Sequence, residues 1–134
     1  MPPVIALDTN VLVRMLVGDN QAQAQRAKLL FDAAAAQGEE LWVCDTVLVE
    51  LVWTLSRAYA RARADIVTAL RAMASNATVA LESAAAVAAA TDAYEQGSAD
   101  LADCLLCTKA AMAGCEQVAT CGRGMRSLPN VKLI

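Results

Sequence analysis

The sequence predicts an α/β protein with a mainly parallel sheet covered by helices on both faces. Three observations predict it. Apolar runs of about four residues alternate with longer segments in which alanine and leucine recur at helical spacing. Polar or glycine punctuation separates the segments, at Asp8-Thr9-Asn10, Gly18-Asp19-Asn20, Gln37-Gly38, Gly97-Ser98 and Gly114. Strands and helices also take turns along the chain, an order that crossover connections convert into parallel neighbours.

The elements follow in order. Residues 4–7 read as a strand, ended by the polar triplet and followed by a short helix over 11–17. Residues 21–36 form a helix that Gln37-Gly38 stops, and 41–44 form a second strand. Asp45 or Thr46 caps a helix running to about residue 60, and Asp65 opens another near 64–74. Residues 78–81 read as a brief strand, 84–96 and 99–113 as helices, and 117–120 and 131–134 as the last strands. The alanine run at 83–91 is read as helix, because alanine is the best helix former. With no repeat and no linker, residues 1–134 are expected to make a single domain.

Composition narrows the function classes. The hydrophobic fraction is 57%, above the usual range, and any apolar surplus left outside the core favours a homodimer or another bound partner. A formal net charge of −3 argues against a basic nucleic-acid-binding domain, although a metal ion and a few local arginines can neutralise the phosphates that matter. Five cysteines, an odd number, fit a reducing cytoplasm better than a disulfide framework. The apolar segment 4–17 contains Asp8, Asn10 and Arg14, so it reads as neither a signal peptide nor a membrane span. Histidine is absent, which removes Ser-His-Asp triads, Cys-His dyads and His-ligated zinc together.

The informative residues are acids in apolar company. Glu50 lies in VLVELVW and is expected to be shielded from open water. Asp103 lies in LADCLL, and Asp100, three positions earlier, would share its helix face. Asp8 directly follows a strand. None of these has a lysine or arginine at helical spacing, and grouped carboxylates without a cation are costly. A hard divalent ion, Mg²⁺ or Mn²⁺, is the remedy that oxygen-only ligands select. Such an ion polarises a phosphoryl oxygen, acidifies a water and stabilises a leaving alkoxide, which together suit phosphodiester hydrolysis. Duller readings stand beside this one: Asp8 could simply cap a helix, and Asp100 could be an acid placed to suit a helix dipole.

Three stretches, LDTNVLVR at 7–14, VELVWTL at 49–55 and ADLADCL at 99–105, resemble in order and spacing the PIN domain ribonucleases, particularly the toxins of VapBC toxin–antitoxin pairs. The resemblance covers nearly the whole chain and implies an α/β/α PIN-like fold with an acidic Mg²⁺ or Mn²⁺ pocket. It matches Asp8, Glu50 and Asp103 to the principal metal-binding and catalytic acids and Asp100 to an accessory one. Asn10 and Thr120 match polar positions that order the pocket. It further implies an RNA substrate and a VapB-like antitoxin partner. The departure is at Thr120-Cys121-Gly122, where many relatives carry a fourth carboxylate at the position of Gly122, and at Gly124, where another acid is often seen.

Other signals are weaker. Cys104 and Cys107 form a CxxC pair inside one helix, better read as buried small residues than as half a zinc site, with redox sensitivity left open. Arg14 and Arg123 lie near the expected site loops and could grip phosphates. Trp42 and Trp53 read as core, with no aromatic ladder for bases. Two rivals to a ribonuclease remain. One is a PIN scaffold that binds RNA or protein without cutting, for which Gly122 argues. The other is a phosphoaspartate enzyme using Asp8 and Lys109, against which the lack of an Asp-x-Asp pair argues.

Overall fold

The computed structural model describes residue 3 and residues 5–134, so Val4, expected in the first strand, lies outside the described residues. The expected class is the one found: among the described residues there are six α-helices, with strands that pair parallel. Contacts divide the chain into two compact units, Met1–Ser83 and Ala84–Ile134.

The first unit holds strands β1 (Ile5–Ala6), β2 (Leu41–Val43) and β3 (Val79–Leu81), and helices α1 (Thr9–Val17), α2 (Gln21–Gln37), α3 (Asp45–Arg57) and α4 (Arg63–Ser75). Its sheet runs β1-β2-β3, with Ile5 beside Leu41 and Leu41 beside Val79. The central strand is the most deeply placed: Leu41 and Val43 are each only 1% exposed, as a strand flanked on both edges requires. Around it α1 packs against α2 and α3, and α4 against α3 and β3. The buried side chains of α3 are Leu48, Leu51, Val52 and Leu55, the i, i+3, i+4, i+7 stripe of a helix that meets its neighbours on one face.

Helix ends differ instructively from the sequence expectation. Helix α1 starts two residues early because Asp8 takes an extended conformation and its Oδ1 accepts a hydrogen bond from the Thr9 N–H at 2.7 Å. Helix α2 ends as expected: Gly38 is left-handed (φ 68°) and its N–H reaches back to the carbonyls of Ala34 and Ala35. Helix α3 stops at Arg57, before residue 60, because Ala60 turns left-handed (φ 50°) and the Arg61 N–H donates to the Leu55 carbonyl at 2.9 Å. A left-handed residue closing a helix C-terminus is normally glycine, and nothing in the local sequence advertises Ala60 in that role.

The second unit holds α5 (Ala84–Gln96), α6 (Leu101–Met112), β4 (Val118–Thr120), a 3-10 turn (Arg123–Met125) and β5 (Val131–Leu133). Helices α5 and α6 pack on each other, and Ala86, Ala90 and Tyr94 of the first and Leu101, Cys104 and Leu105 of the second are buried. Small alanines let two helices approach closely, so the low-complexity run is helix for a packing reason. Strands β4 and β5 pair parallel with Val118 beside Val131. Helix α6 begins at Leu101, with Asp100 as the residue before it, rather than at residue 99.

Candidate functional site

The residues singled out by sequence are divided between the two units: Asp8, Asn10, Arg14 and Glu50 in the first, Asp100, Asp103, Thr120 and Arg123 in the second.

In the first unit Asp8 sits beyond the carboxyl end of β1, where ligands of parallel sheets collect. The ladder continues past the strand, since the Leu7 N–H donates to the Trp42 carbonyl at 2.8 Å, and this holds the next residue in place. Asp8 itself is exposed, with one oxygen used as the α1 cap. Thr9, the next residue, is only 3% exposed, and its hydroxyl has no hydrogen-bond partner among the described residues. A buried unpartnered hydroxyl costs about 1–3 kcal/mol, an anomaly placed one residue from a candidate ligand. No role was read for Thr9 from the sequence, where a threonine after an aspartate carries no signal of its own burial.

Asn10 is exposed and lines a cavity of about 490 Å³ between α1 and α2, together with Arg14, Gln23, Arg26 and Leu30. Arg14 is engaged locally: its Nη1 lies 2.8 Å from Asp19 Oδ1 and its Nε donates to Gln23 Oε1 at 2.6 Å. The Tyr59 hydroxyl donates to the other Asp19 oxygen at 2.9 Å. That bond, ahead of the opposing loss of water and the Arg14 contact, lowers the Asp19 pKa below the ordinary carboxylate range.

Glu50 corrects the expectation of shielding. It lies on α3 but is exposed, as are Thr46, Trp53 and Arg57, while the leucines of the same run face inward. Seven consecutive residues make two helical turns and therefore sample every face, so an acid in an apolar run can still meet water. Its charge needs no compensation on grounds of burial. Trp53, expected in the core, is 60% exposed. The start of α3 is fixed by long-range contacts that sequence could not reveal: the Asp45 N–H donates to Glu82 Oε1 and the Ser83 hydroxyl to Asp45 Oδ2, each at 2.9 Å.

In the second unit Asp100 takes the N-cap position of α6 without making a side-chain cap bond, and an acid there suits the helix dipole, the duller role open to it. Asp103, in the first turn, is partly buried. Burial, and then the negative charge of Asp100, raise its pKa above the ordinary carboxylate range. One turn on, burial and then Asp103 push the Cys107 thiol up as well. A raised thiol pKa means less thiolate, and Cys104 is buried, as expected. Thr120 ends β4, and its hydroxyl accepts the Gly122 N–H at 2.9 Å. A Cβ at Gly122 would come within 3.3 Å of that same oxygen, and Arg123 beside it is exposed.

Within neither unit, among the described residues, do three or more histidine, cysteine, aspartate or glutamate side chains gather closely enough to hold an ion. The donors present nonetheless suit a hard divalent cation. Asp100 and Asp103 repel each other, and a buried hydroxyl lacks a partner beside Asp8; carboxylate and hydroxyl oxygens are the ligands such ions take, directly or through water.

A PIN domain family model matches residues 5–131. The chain is also 28% identical over 122 residues, 91% of its length and 90% of the relative's, to a protein described as a VapC ribonuclease in Aquifex aeolicus (strain VF5). No solved structure matches the chain significantly.

Proposed function

Since the chain belongs to the PIN domain family, we propose that it is a metal-dependent endoribonuclease hydrolysing RNA phosphodiester bonds, a toxin held in check by a VapB-like antitoxin. Asp8, Glu50, Asp103 and Asp100 are its metal-binding and catalytic carboxylates, Mg²⁺ or Mn²⁺ is its ion, and residues 1–134 act as one domain. The observation that carries this reading is the Asp100–Asp103 pair at the start of α6: Asp100 makes no side-chain cap bond, and burial first, then the charge of Asp100, raise the pKa of Asp103. Folds seldom keep uncompensated like charges together without a functional reason.

When bound, the divalent ion supplies Lewis-acid stabilisation of charge at phosphorus and lowers the pKa of water. The chain's own residues do the remaining work. Asp8, held by the β1–β2 ladder and its cap bond, offers a carboxylate oxygen at the end of the sheet. Glu50, exposed on a helix anchored by four buried side chains, offers a second without rearrangement of the core. Asn10 and Thr120 order the polar surroundings, and Arg14 and Arg123 contact RNA phosphates. The relative described as a VapC ribonuclease supports the antitoxin partner and the RNA substrate. A homodimer and a cytoplasmic location complete the proposal; no helix among the described residues is long and apolar enough to cross a membrane.

Glu50→Gln tests this reading cleanly, because an exposed side chain can lose its charge without loss of fold. With Mg²⁺ or Mn²⁺ present, cleavage of an RNA panel is expected to fall about 100-fold or more. Undiminished cleavage by the folded variant would remove Glu50 from the mechanism. A second reading, a PIN scaffold that binds without cutting, draws on Gly122, where family members often carry an acid. It predicts RNA retention and no metal-dependent cleavage by the unaltered protein.

A further inference from the structure

Helix α3 carries a feature that neither the core nor the carboxylates explain. Leu48, Leu51, Val52 and Leu55 anchor it, each no more than 5% exposed, whereas Trp53 is 60% exposed. The largest side chain of the helix therefore contributes little to its packing. Single exposed leucines are ordinary, but a bare indole is expensive, because tryptophan buries more apolar area than any other side chain.

Its neighbours on the outward face are polar. Thr46, Glu50, Trp53 and Arg57 recur at i, i+4, i+7 and i+11, and all four are exposed. At about 100° and 1.5 Å per residue, Glu50, Trp53 and Arg57 fall within a sector of about 60°, with steps of about 4.5 Å and 6 Å along the axis. A carboxylate, an aromatic face and a guanidinium thus lie in file. A homodimer patch would place apolar side chains around the tryptophan, and a membrane surface would call for more cations than one. An aromatic face flanked by a cation is the pairing used for single-stranded nucleic acid: the base stacks and the adjoining phosphate meets the charge.

We propose that the outward face of α3 is a binding track for single-stranded RNA, with one base stacked on the Trp53 indole and an adjoining phosphate on the Arg57 guanidinium. The proposal rests on the ribonuclease reading and deepens it, because Glu50 then lies one turn from the stacked base and the track sets which nucleotide is positioned beside it. Trp53 is a positioning residue and touches no reacting atom. Since stacking accepts any base, the track contributes affinity and strandedness rather than sequence choice.

Tryptophan fluorescence reads this directly. The chain has two tryptophans, so Trp42→Phe leaves Trp53 as sole reporter, and Glu50→Gln in the same chain prevents cleavage. Titration with an oligouridylate of about 12 nucleotides is expected to quench Trp53 saturably, and a duplex of equal length to quench it far less. Trp53→Ala should weaken binding about tenfold or more, and Trp53→Phe should restore most of it. Arg57→Gln should lower affinity and reduce the salt slope by about one. In the cleaving protein, Trp53→Ala should raise KM with kcat little changed. Absence of quenching, or equal affinity in Trp53→Ala, overturns the proposal. So does a Trp53 signal that follows protein concentration without RNA, together with loss of a dimer in Trp53→Ala, which would assign the face to a second copy. The binding readout is independent of cleavage. An unaltered protein that cuts RNA while Trp53 stays silent refutes the track alone, and one that quenches but never cuts refutes the ribonuclease reading alone.

Discussion

Asp8, Asp19 and Asp45 of the first unit and Asp100 and Asp103 of the second are held in different ways. The first three have partners within the fold: Asp8 caps α1, Asp19 is bound by Arg14 and Tyr59, and Asp45 accepts the Ser83 hydroxyl. In the second, Asp100 occupies a cap position without capping, and Asp103 pays for partial burial and for its neighbour's charge. A capping aspartate needs no further explanation, whereas an acid held at an electrostatic cost asks for one. Exposed Glu50 shows that an acid in apolar sequence does not by itself carry such a cost.

Substitutions at Asp8 probe the contrast most severely. Asparagine caps helices as well as aspartate does but is a poor ligand for a hard cation, whereas alanine does neither. Cleavage should fall about 100-fold or more in both Asp8→Asn and Asp8→Ala. Only Asp8→Ala should lose stability, by about 1 kcal/mol, or about 4 °C in Tm by calorimetry. Normal cleavage by Asp8→Asn would make Asp8 a cap and nothing more.

A smaller effect is expected from giving the second unit another carboxylate. Gly122→Asp must only nudge the Thr120 hydroxyl, which a Cβ would approach to 3.3 Å. It should tighten binding of a second Mn²⁺ about tenfold by titration calorimetry, against weak second-ion binding in the unaltered chain. Two tight ions in the unaltered chain would show that Gly122 costs nothing.

The smallest effect concerns the charge on Asp103. Its pKa is higher folded than unfolded, so the folded chain holds the proton more tightly. The stabilisation from that proton is full below the ordinary carboxylate range and is lost as pH rises through the raised value, leaving a net cost at neutral pH. Without metal, Asp103→Asn should therefore raise stability at pH 7 by ~0.5 kcal/mol or less, the group being only partly buried, and the gain should shrink as pH falls through that window. A loss of stability at pH 7 would mean that Asp103 has a favourable partner, and the contrast between the units would fail.

Much of the fold was legible from neighbours along the chain. Helix α5 falls on the residues its alanine periodicity indicates, α2 ends at Gly38, and each expected strand is present to within a residue or two. The order of three acidic motifs was enough to indicate the family whose model matches residues 5–131. Less legible were the left-handed Ala60 that ends α3, the 3-10 turn at Arg123–Met125, and the engagement of Arg14 with Asp19 and Gln23.

What the sequence determined by itself was local: where the backbone satisfies its hydrogen bonds within a few residues, which side chains recur at helical period, and which acids stand in file. The tertiary structure decided orientation and company. It turned Glu50 and Trp53 outward while Leu51 beside them went in, left the Thr9 hydroxyl buried without a partner among the described residues, and joined Asp45 to Glu82 and Ser83 across more than thirty residues. The physical reason is that a helical period tells which residues share a face, but only the elements packed against that helix determine which face loses water.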